Sequence, residues 1–172
     1  MLDTHLAKHP TDRDLLEQRA EAAQAQGDFA SARKTMRAVL DGSDATSNDY
    51  NNYAWNSLFE GKVDEDAVQA AQQANMLSKN ASFDELHTLS CLYAAQGKTT
   101  EAREVLLQAM AADNLAVPNS SSWYAFGAIY EQYGVLDAAI AAFKKVEKPD
   151  GPMSPTDTYL LAQMHLKALH AI

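Results

Sequence analysis

Apolar residues recur along the chain at intervals of three or four, which is the spacing of one face of an α-helix. The clearest stretch begins at Ser120, and Gly134 divides it into two helical segments. Its large apolar residues are Trp123, Phe126, Tyr130, Leu136 and Phe143. The sequence has no runs of Val, Ile and Thr alternating with polar residues, the pattern that would indicate strands. The pattern therefore predicts an all-α chain built from pairs of helices.

The same pattern occurs four times, in frames that start at residues 13, 47, 83 and 120. Position 8 and a position near 20 of each frame hold small residues, which predicts that the paired helices approach closely. These residues are Ala20 and Ala32, Ala54 and Ala67, Ser90 and Ala102, and Gly127 and Ala139. Position 15 is always glycine, so we expect the first helix to end there in the left-handed conformation. These glycines are Gly27, Gly61, Gly97 and Gly134.

This arrangement resembles the tetratricopeptide repeat, a helix–turn–helix unit of 34 residues. The resemblance implies a right-handed superhelical array, an α-solenoid, whose first helices line a concave face. The expected repeats are residues 13–46, 47–82, 83–119 and 120–153. Residues 1–10 would be the second helix of a truncated repeat, and residues 154–171 would be a C-terminal capping helix. The alternative is an unrelated helical bundle, which four copies in register disfavour.

The two ends suggest a piece of a longer protein, because Leu2 and Leu6 occupy apolar positions of a preceding frame. Residues 51–55 and 123–134 are similar to repeat regions at the C-terminus of larger bacterial proteins, some with a transglutaminase-like domain upstream. An uncovered N-terminal edge would also be an exposed apolar patch. It motivates a second hypothesis, in which the region packs against an upstream domain, enzymatic or not, or associates with itself.

The resemblance implies that positions 2, 5, 6, 9, 12 and 13 of each first helix face a ligand. In the four frames these positions carry carboxylates, amides and aromatic rings, and no Lys or Arg. Relatives that hold acidic peptide tails use cations there, so an acidic tail is not the expected ligand. The candidate peptide-binding residues are Glu17, Glu21, Asn48, Asn51, Asn52, Trp55, Phe59, His87 and Tyr124.

Asn52 is the first candidate, because Asn at position 6 binds the peptide backbone in some relatives and its amide both donates and accepts. Trp and Tyr side chains supply binding area. The alternatives are structural: Trp55 and Phe59 pack against the next repeat, and Asn48 caps a helix near Ser47.

His87 and Cys91 lie four residues apart and would share a helical face, as would His5 and His9. A structural zinc site needs four ligands and a catalytic one usually three, and the spacing supplies no third. The sequence also has no phosphate-binding glycine loop, G-x-S-x-G or H-E-x-x-H motif. We therefore predict no metal, no cofactor and no enzymatic activity, with a His87–Cys91 nucleophile pair as the alternative.

Composition and net charge limit the classes of molecule that the chain is expected to bind. Hydrophobic residues make up 47% of the chain, enough for a packed core, and the formal net charge is -9. Negative charge opposes binding to phosphate backbones and to anionic membranes. The single cysteine leaves no internal disulfide and is typical of a reducing compartment. The predicted function is a protein–protein interaction module, a scaffold or adaptor, for a neutral, apolar or basic segment of a partner.

Overall fold

A computed structural model describes residues 11–172, and the helix predicted at residues 1–10 lies outside them. In residues 11–172 all regular structure is helical, as predicted. The helices are α1 (Arg13–Ala25), α2 (Phe29–Leu40), α3 (Ser47–Glu60), α4 (Glu65–Leu77), α5 (Phe83–Ala95), α6 (Thr99–Ala112), α7 (Ser120–Gln132), α8 (Leu136–Phe143) and α9 (Thr158–Ala168). Each helix packs against the next one along the chain, which makes the protein an all-α helical-repeat solenoid.

Side chains placed just before the helices determine where most of them begin. The Asp28 carboxylate accepts a hydrogen bond from the backbone N–H of Ser31 at 3.0 Å, at the start of α2. The start of α3 is a capping box formed by Thr46 and Asp49, so Thr46 caps this helix and Asn48 does not. Both caps join residues three positions apart, so the local sequence indicates where these helices start.

A glycine in the left-handed conformation follows each of the first helices α1, α3, α5 and α7. The φ angles are +74° at Gly27, +71° at Gly61, +74° at Gly97 and +75° at Gly134. A Cβ atom is disfavoured in this region, so glycine lets the chain turn into the second helix at low cost. The prediction for position 15 is confirmed.

The small residues predicted between paired helices are buried. At most 1% of the surface of each of these residues is exposed: Ala20, Ala32, Ala54, Ala67, Ser90, Ala102 and Ala139. The tightest approach is at Gly127, where a Cβ atom would lie 2.6 Å from ring carbons of Phe143. Gly127 is therefore what allows α7 and α8 to pack at this distance.

The first helices share one side of the array. Helix α3 contacts α5 and α5 contacts α7, whereas the second helices α2, α4 and α6 pack between successive first helices. We call the side formed by α1, α3, α5, α7 and α9 the inner face. The largest core cluster runs beneath it from Phe59 through Tyr124 to Leu166.

Arg33 of α2 is a buried cation that joins the first two helix pairs. Its guanidinium lies 2.8 Å from a Glu60 oxygen and 2.6 Å from an Asp64 oxygen, and it donates to the Tyr53 hydroxyl at 3.2 Å. Two carboxylates and a hydroxyl thus replace the water that this charge loses on burial.

The last helix is shorter than predicted. The sequence indicated a helix over residues 154–171, but α9 begins at Thr158. The Asp157 carboxylate caps it there by accepting from the Tyr159 N–H at 2.8 Å. Residues before Asp157 form a turn instead, because Pro155 disfavours a helical conformation at Ser154. Helix α9 packs against α7 and α8 and buries Leu161, Ala162 and Leu166 there.

Candidate functional site

Four of the predicted peptide-binding residues, Glu17, Glu21, Asn48 and Asn52, line one cleft between α1 and α3. We call it the N-terminal cleft, and its volume is about 380 Å³. The full lining is Arg13, Glu17, Ala20, Glu21, Gln24, Met36, Val39, Asn48, Asp49, Asn52 and Thr156. Carboxylates and amides dominate this wall, and both groups accept hydrogen bonds from a peptide backbone or a basic side chain.

A chain of amides holds part of this wall in place. Asn56 of α3 is 1% exposed and donates to the Asn52 carbonyl at 2.7 Å. The side-chain oxygen of Asn56 accepts a hydrogen bond from the Gln24 side chain at 3.1 Å. The amide of Gln24 is thereby oriented across the gap between α1 and α3. Sequence analysis missed Gln24 as a candidate, although it occupies position 12 of its frame and therefore carried the signal.

Arg13 is a cation in the N-terminal cleft that sequence analysis also missed, because it occupies position 1 of its frame. Its guanidinium lies 2.6 Å from an Asp49 oxygen and 2.7 Å from a Glu17 oxygen. Burial alone would raise the pKa of Asp49, but hydrogen bonds from Thr46 and Arg13 outweigh it and hold the pKa below the ordinary 3.8. The charge of Arg13 is therefore already paired within the protein.

A second cleft of about 380 Å³ lies between α3, α5 and α7, and we call it the central cleft. Its lining residues are Asn48, Asn51, Asn52, Trp55, Ser82, Asp84, Glu85, His87, Thr88, Ser121, Ser154, Thr156, Asp157 and Thr158. They include three carboxylates and no Lys or Arg. Because Asn48, Asn52 and Thr156 line both clefts, the two clefts adjoin, and we call the pair the trough.

The segment before α9 forms part of this trough. The Trp55 indole N–H donates to the backbone carbonyl of Thr156 at 2.9 Å, joining residues that are 101 positions apart. A hydrogen bond of 3.1 Å between the hydroxyls of Ser154 and Thr156 braces the turn. Trp55 therefore holds a backbone carbonyl of its own chain, and sequence analysis could not find this long-range contact.

Three of the predicted contact residues are buried in an aromatic cluster. Phe59 is 8% exposed, His87 5% and Tyr124 1%. The half-buried ring of Trp55 lies against all three, with centroids 6.0 Å, 5.5 Å and 6.3 Å away. The rings of these residues pack among the helices, so Phe59, His87 and Tyr124 offer a ligand little surface, and their part in peptide binding stays a prediction. Trp55 contacts His87 of the next helix pair, which is the packing that the structural alternative describes.

His87 and Cys91 do approach each other, with His87 Nε2 3.5 Å from the sulfur. The same nitrogen lies 2.9 Å from the carbonyl oxygen of Ser121, which only accepts, so we assign it the ring proton. Burial lowers the pKa of His87 to about 4 and raises the pKa of the Cys91 thiol. A neutral donor imidazole beside a protonated thiol is not an activated nucleophile.

A third cleft, of about 390 Å³, lies at the other end of the inner face. Leu58, Val63, Ala95, Ala128 and Met164 supply much of its apolar lining, with Glu131 and His165 at one side. The Nδ1 atom of His165 is itself within hydrogen-bond distance of a Glu131 carboxylate oxygen, at 2.5 Å. Of the candidate peptide-binding residues, only Tyr124 is among those that line this cleft.

No helix among residues 11–172 is long and apolar enough to cross a membrane. Within the same residues, no group of three or more His, Cys, Asp or Glu side chains is arranged to hold a metal ion.

Comparison with known proteins identifies one helix pair directly. Residues 86–114, which cover most of α5 and all of α6, match the tetratricopeptide repeat family. No curated protein matches the chain. Tetratricopeptide repeats are in general protein–protein interaction modules, and their helical fold is typically not enzymatic. The match identifies the α5–α6 pair as a tetratricopeptide repeat, within a chain whose other helices also follow one another in pairs.

Proposed function

We propose that the chain binds a segment of a partner protein in the trough formed by the N-terminal and central clefts. The observation that carries this proposal is that the two clefts adjoin and share Asn48, Asn52 and Thr156. Neighbouring clefts lined by amides can hydrogen-bond the backbone of an extended segment that crosses both.

The charged residues that line the trough indicate the charge of the segment it would bind. Glu17, Glu21 and Asp49 line the N-terminal cleft with Arg13 as its one cation, and three carboxylates line the central cleft with no Lys or Arg. Opposite charges on two proteins steer their association, and like charges disfavour wrong partners. The proposed ligand therefore carries basic residues, together with neutral or apolar ones beside Trp55.

We also propose that the remaining helix pairs are repeats of the same kind, at 13–46, 47–82 and 120–153, with 154–171 capping the array. The left-handed glycines and the buried small residues recur at matching positions in all four pairs. Tetratricopeptide arrays present a binding face only when several repeats stack, so the proposed trough depends on this division.

The test is a pull-down from host lysate, read by mass spectrometry, with the triple variant Glu21→Gln, Asn48→Ala, Asn52→Ala beside wild type. All three residues line the N-terminal cleft and lie outside the core. We expect proteins that wild type retains to be lost or strongly reduced with this variant.

The matched control is Glu104→Gln, Gln69→Ala, Gln108→Ala. It makes the same kinds of change at exposed positions of the second helices α4 and α6. Both variants must first melt at the wild-type temperature. Equal recovery with the trough variant and the control would overturn the proposal that the partner lies in the trough.

A further inference from the structure

Glu85 is a buried charge without a partner. Among residues 11–172, three charged side chains are buried: Arg33, Asp49 and Glu85. Arg33 is paired with Glu60 and Asp64, and Asp49 is paired with Arg13. Glu85 is 8% exposed, makes no ion pair with another described residue, and its Oε2 accepts no hydrogen bond. A buried carboxylate oxygen without a partner is costly, and a donor that reached it from the cleft would remove that cost.

The surroundings of Glu85 indicate what kind of donor is missing. Glu85 lines the central cleft together with Asp84 and Asp157, and none of the other lining residues is a Lys or Arg. A second acceptor in the same cleft, the side-chain oxygen of Asn51, is also buried without a hydrogen bond. The wall of the cleft thus combines two buried oxygens that lack donors with a net negative charge, and a ligand with several donors and a positive charge would complement both.

We propose that the central cleft binds the guanidinium group of an arginine in the partner protein, with Glu85 as its main anchor. This inference rests on the proposed function and specifies one residue of the ligand. Guanidinium has five N–H donors in a planar fork and no acceptor, which suits a cleft whose charged lining residues are all carboxylates. It is also less strongly hydrated than an ammonium group and stacks on aromatic rings, and Trp55 lines the same cleft. Arginine therefore fits this cleft better than lysine.

The probe is an acetylated and amidated pentapeptide, Gly-Ala-Arg-Ala-Gly, titrated into isotopically labelled protein and followed by NMR. The reporter is the indole N–H resonance of Trp55, assigned with Trp55→Phe, and the resonance of Trp123 is the internal reference. Trp123 is in α7 and is not among the residues that line the cleft. We expect the Trp55 resonance to shift saturably while that of Trp123 stays in place.

Two matched peptides separate the contribution of the positive charge from that of the planar guanidinium group. Replacing arginine by citrulline keeps the shape but removes the charge and one donor group, and we expect binding to weaken by about tenfold or more. Replacing arginine by lysine keeps the charge but removes the planar fork, and we expect several-fold weaker binding. Free arginine tests whether the ligand is an amino acid. Binding of free arginine as tight as that of the peptide would overturn the assignment to a protein segment.

The matching protein variant is Glu85→Gln, with Glu104→Gln on the exposed side of α6 as the control for net charge. Glu85→Gln preserves the side-chain shape and removes an unpaired buried charge, so we expect a melting temperature no lower than that of wild type. We expect it to bind the arginine peptide about tenfold or more weakly, while Glu104→Gln binds it like wild type.

Equal affinity for the arginine and citrulline peptides, or undiminished binding by a folded Glu85→Gln variant, would overturn the arginine site. Lysine binding as tightly as arginine would overturn the choice of guanidinium. These results are independent of the pull-down, because no natural partner is present in the titration. A partner lost with the trough variant but retained by Glu85→Gln would leave the proposed function standing and remove the arginine site alone.

Discussion

The burial of His87 predicts that the protein loses stability between pH 7 and pH 5. Burial among Phe83, Trp55 and Tyr124 lowers the pKa of His87 to about 4, although the Ser121 carbonyl and the charge of Asp84 act in the opposite direction. An unfolded chain has an ordinary histidine pKa of 6.5. Between these two values the unfolded state binds a proton that the folded state does not, so acid favours unfolding.

The size of the effect follows from the two pKa values. At pH 5 an ordinary histidine is almost fully protonated while His87 in the folded protein is still mostly neutral. Each pH unit within this interval changes the free energy of unfolding by about 1.4 kcal/mol, so the loss from pH 7 to pH 5 is about 2 kcal/mol. The pKa values of Asp49 and Asp64 are lowered below 3.8, so their stabilising effect persists throughout this range.

The assay is urea unfolding at pH 7, 6 and 5, followed by circular dichroism, for wild type and His87→Gln. The glutamine amide can still donate to the Ser121 carbonyl but does not titrate. We expect the variant to lose about 2 kcal/mol less than wild type over this range. His170→Asn, at an exposed position after α9, should keep the wild-type pH dependence. Parallel losses in wild type and His87→Gln would refute the reasoning.

Three other perturbations test the packing. Gly127→Ala would place a Cβ atom 2.6 Å from the Phe143 ring, so urea unfolding should show a loss of about 1–3 kcal/mol despite the better helix propensity of alanine; a gain in stability would show that α7 and α8 can separate freely. Arg33→Met leaves Glu60 and Asp64 without their shared cation, and we expect a loss of about 3–5 kcal/mol by the same measurement, with the exposed Arg103→Met close to neutral. Trp55→Phe removes the donor to the Thr156 carbonyl, and we expect a loss of about 1 kcal/mol and faster amide hydrogen exchange near Thr156, with exchange in α6 unchanged.

The helical framework could be predicted because the signals that create it are local. A capping side chain, a left-handed glycine and a small residue each act within one helix pair, and the chain repeats them at a nearly constant interval. The first helices begin at Arg13, Ser47, Phe83 and Ser120, the residues at which the sequence frames start. At the last helix the frame alone was insufficient, since Pro155 and Asp157 move the start of α9 to Thr158.

The candidate site could be predicted only in part, because burial depends on segments far away in the sequence. The frame placed Asn48, Asn52, Glu17 and Glu21 at ligand-facing positions, and all four line the N-terminal cleft. It placed Tyr124 there as well, but α9 covers that ring, with His165 5.8 Å away between centroids. The position of a residue in the repeat frame predicts which way its side chain points. It does not predict whether a later segment of the chain packs over that side chain.

The buried aromatic cluster gives the trough a structural basis that the sequence did not indicate. Trp55 contacts His87 and Tyr124, which come from the next two first helices, so three successive helices are joined through one set of rings. Helices held in this way present the trough with little reorganisation on binding, which lowers the entropy that binding costs. Protonation of His87 would place a charge inside the same cluster. A ligand that occupies the central cleft binds only the folded arrangement, so it should raise the free energy of unfolding and lower the pH at which the protein unfolds.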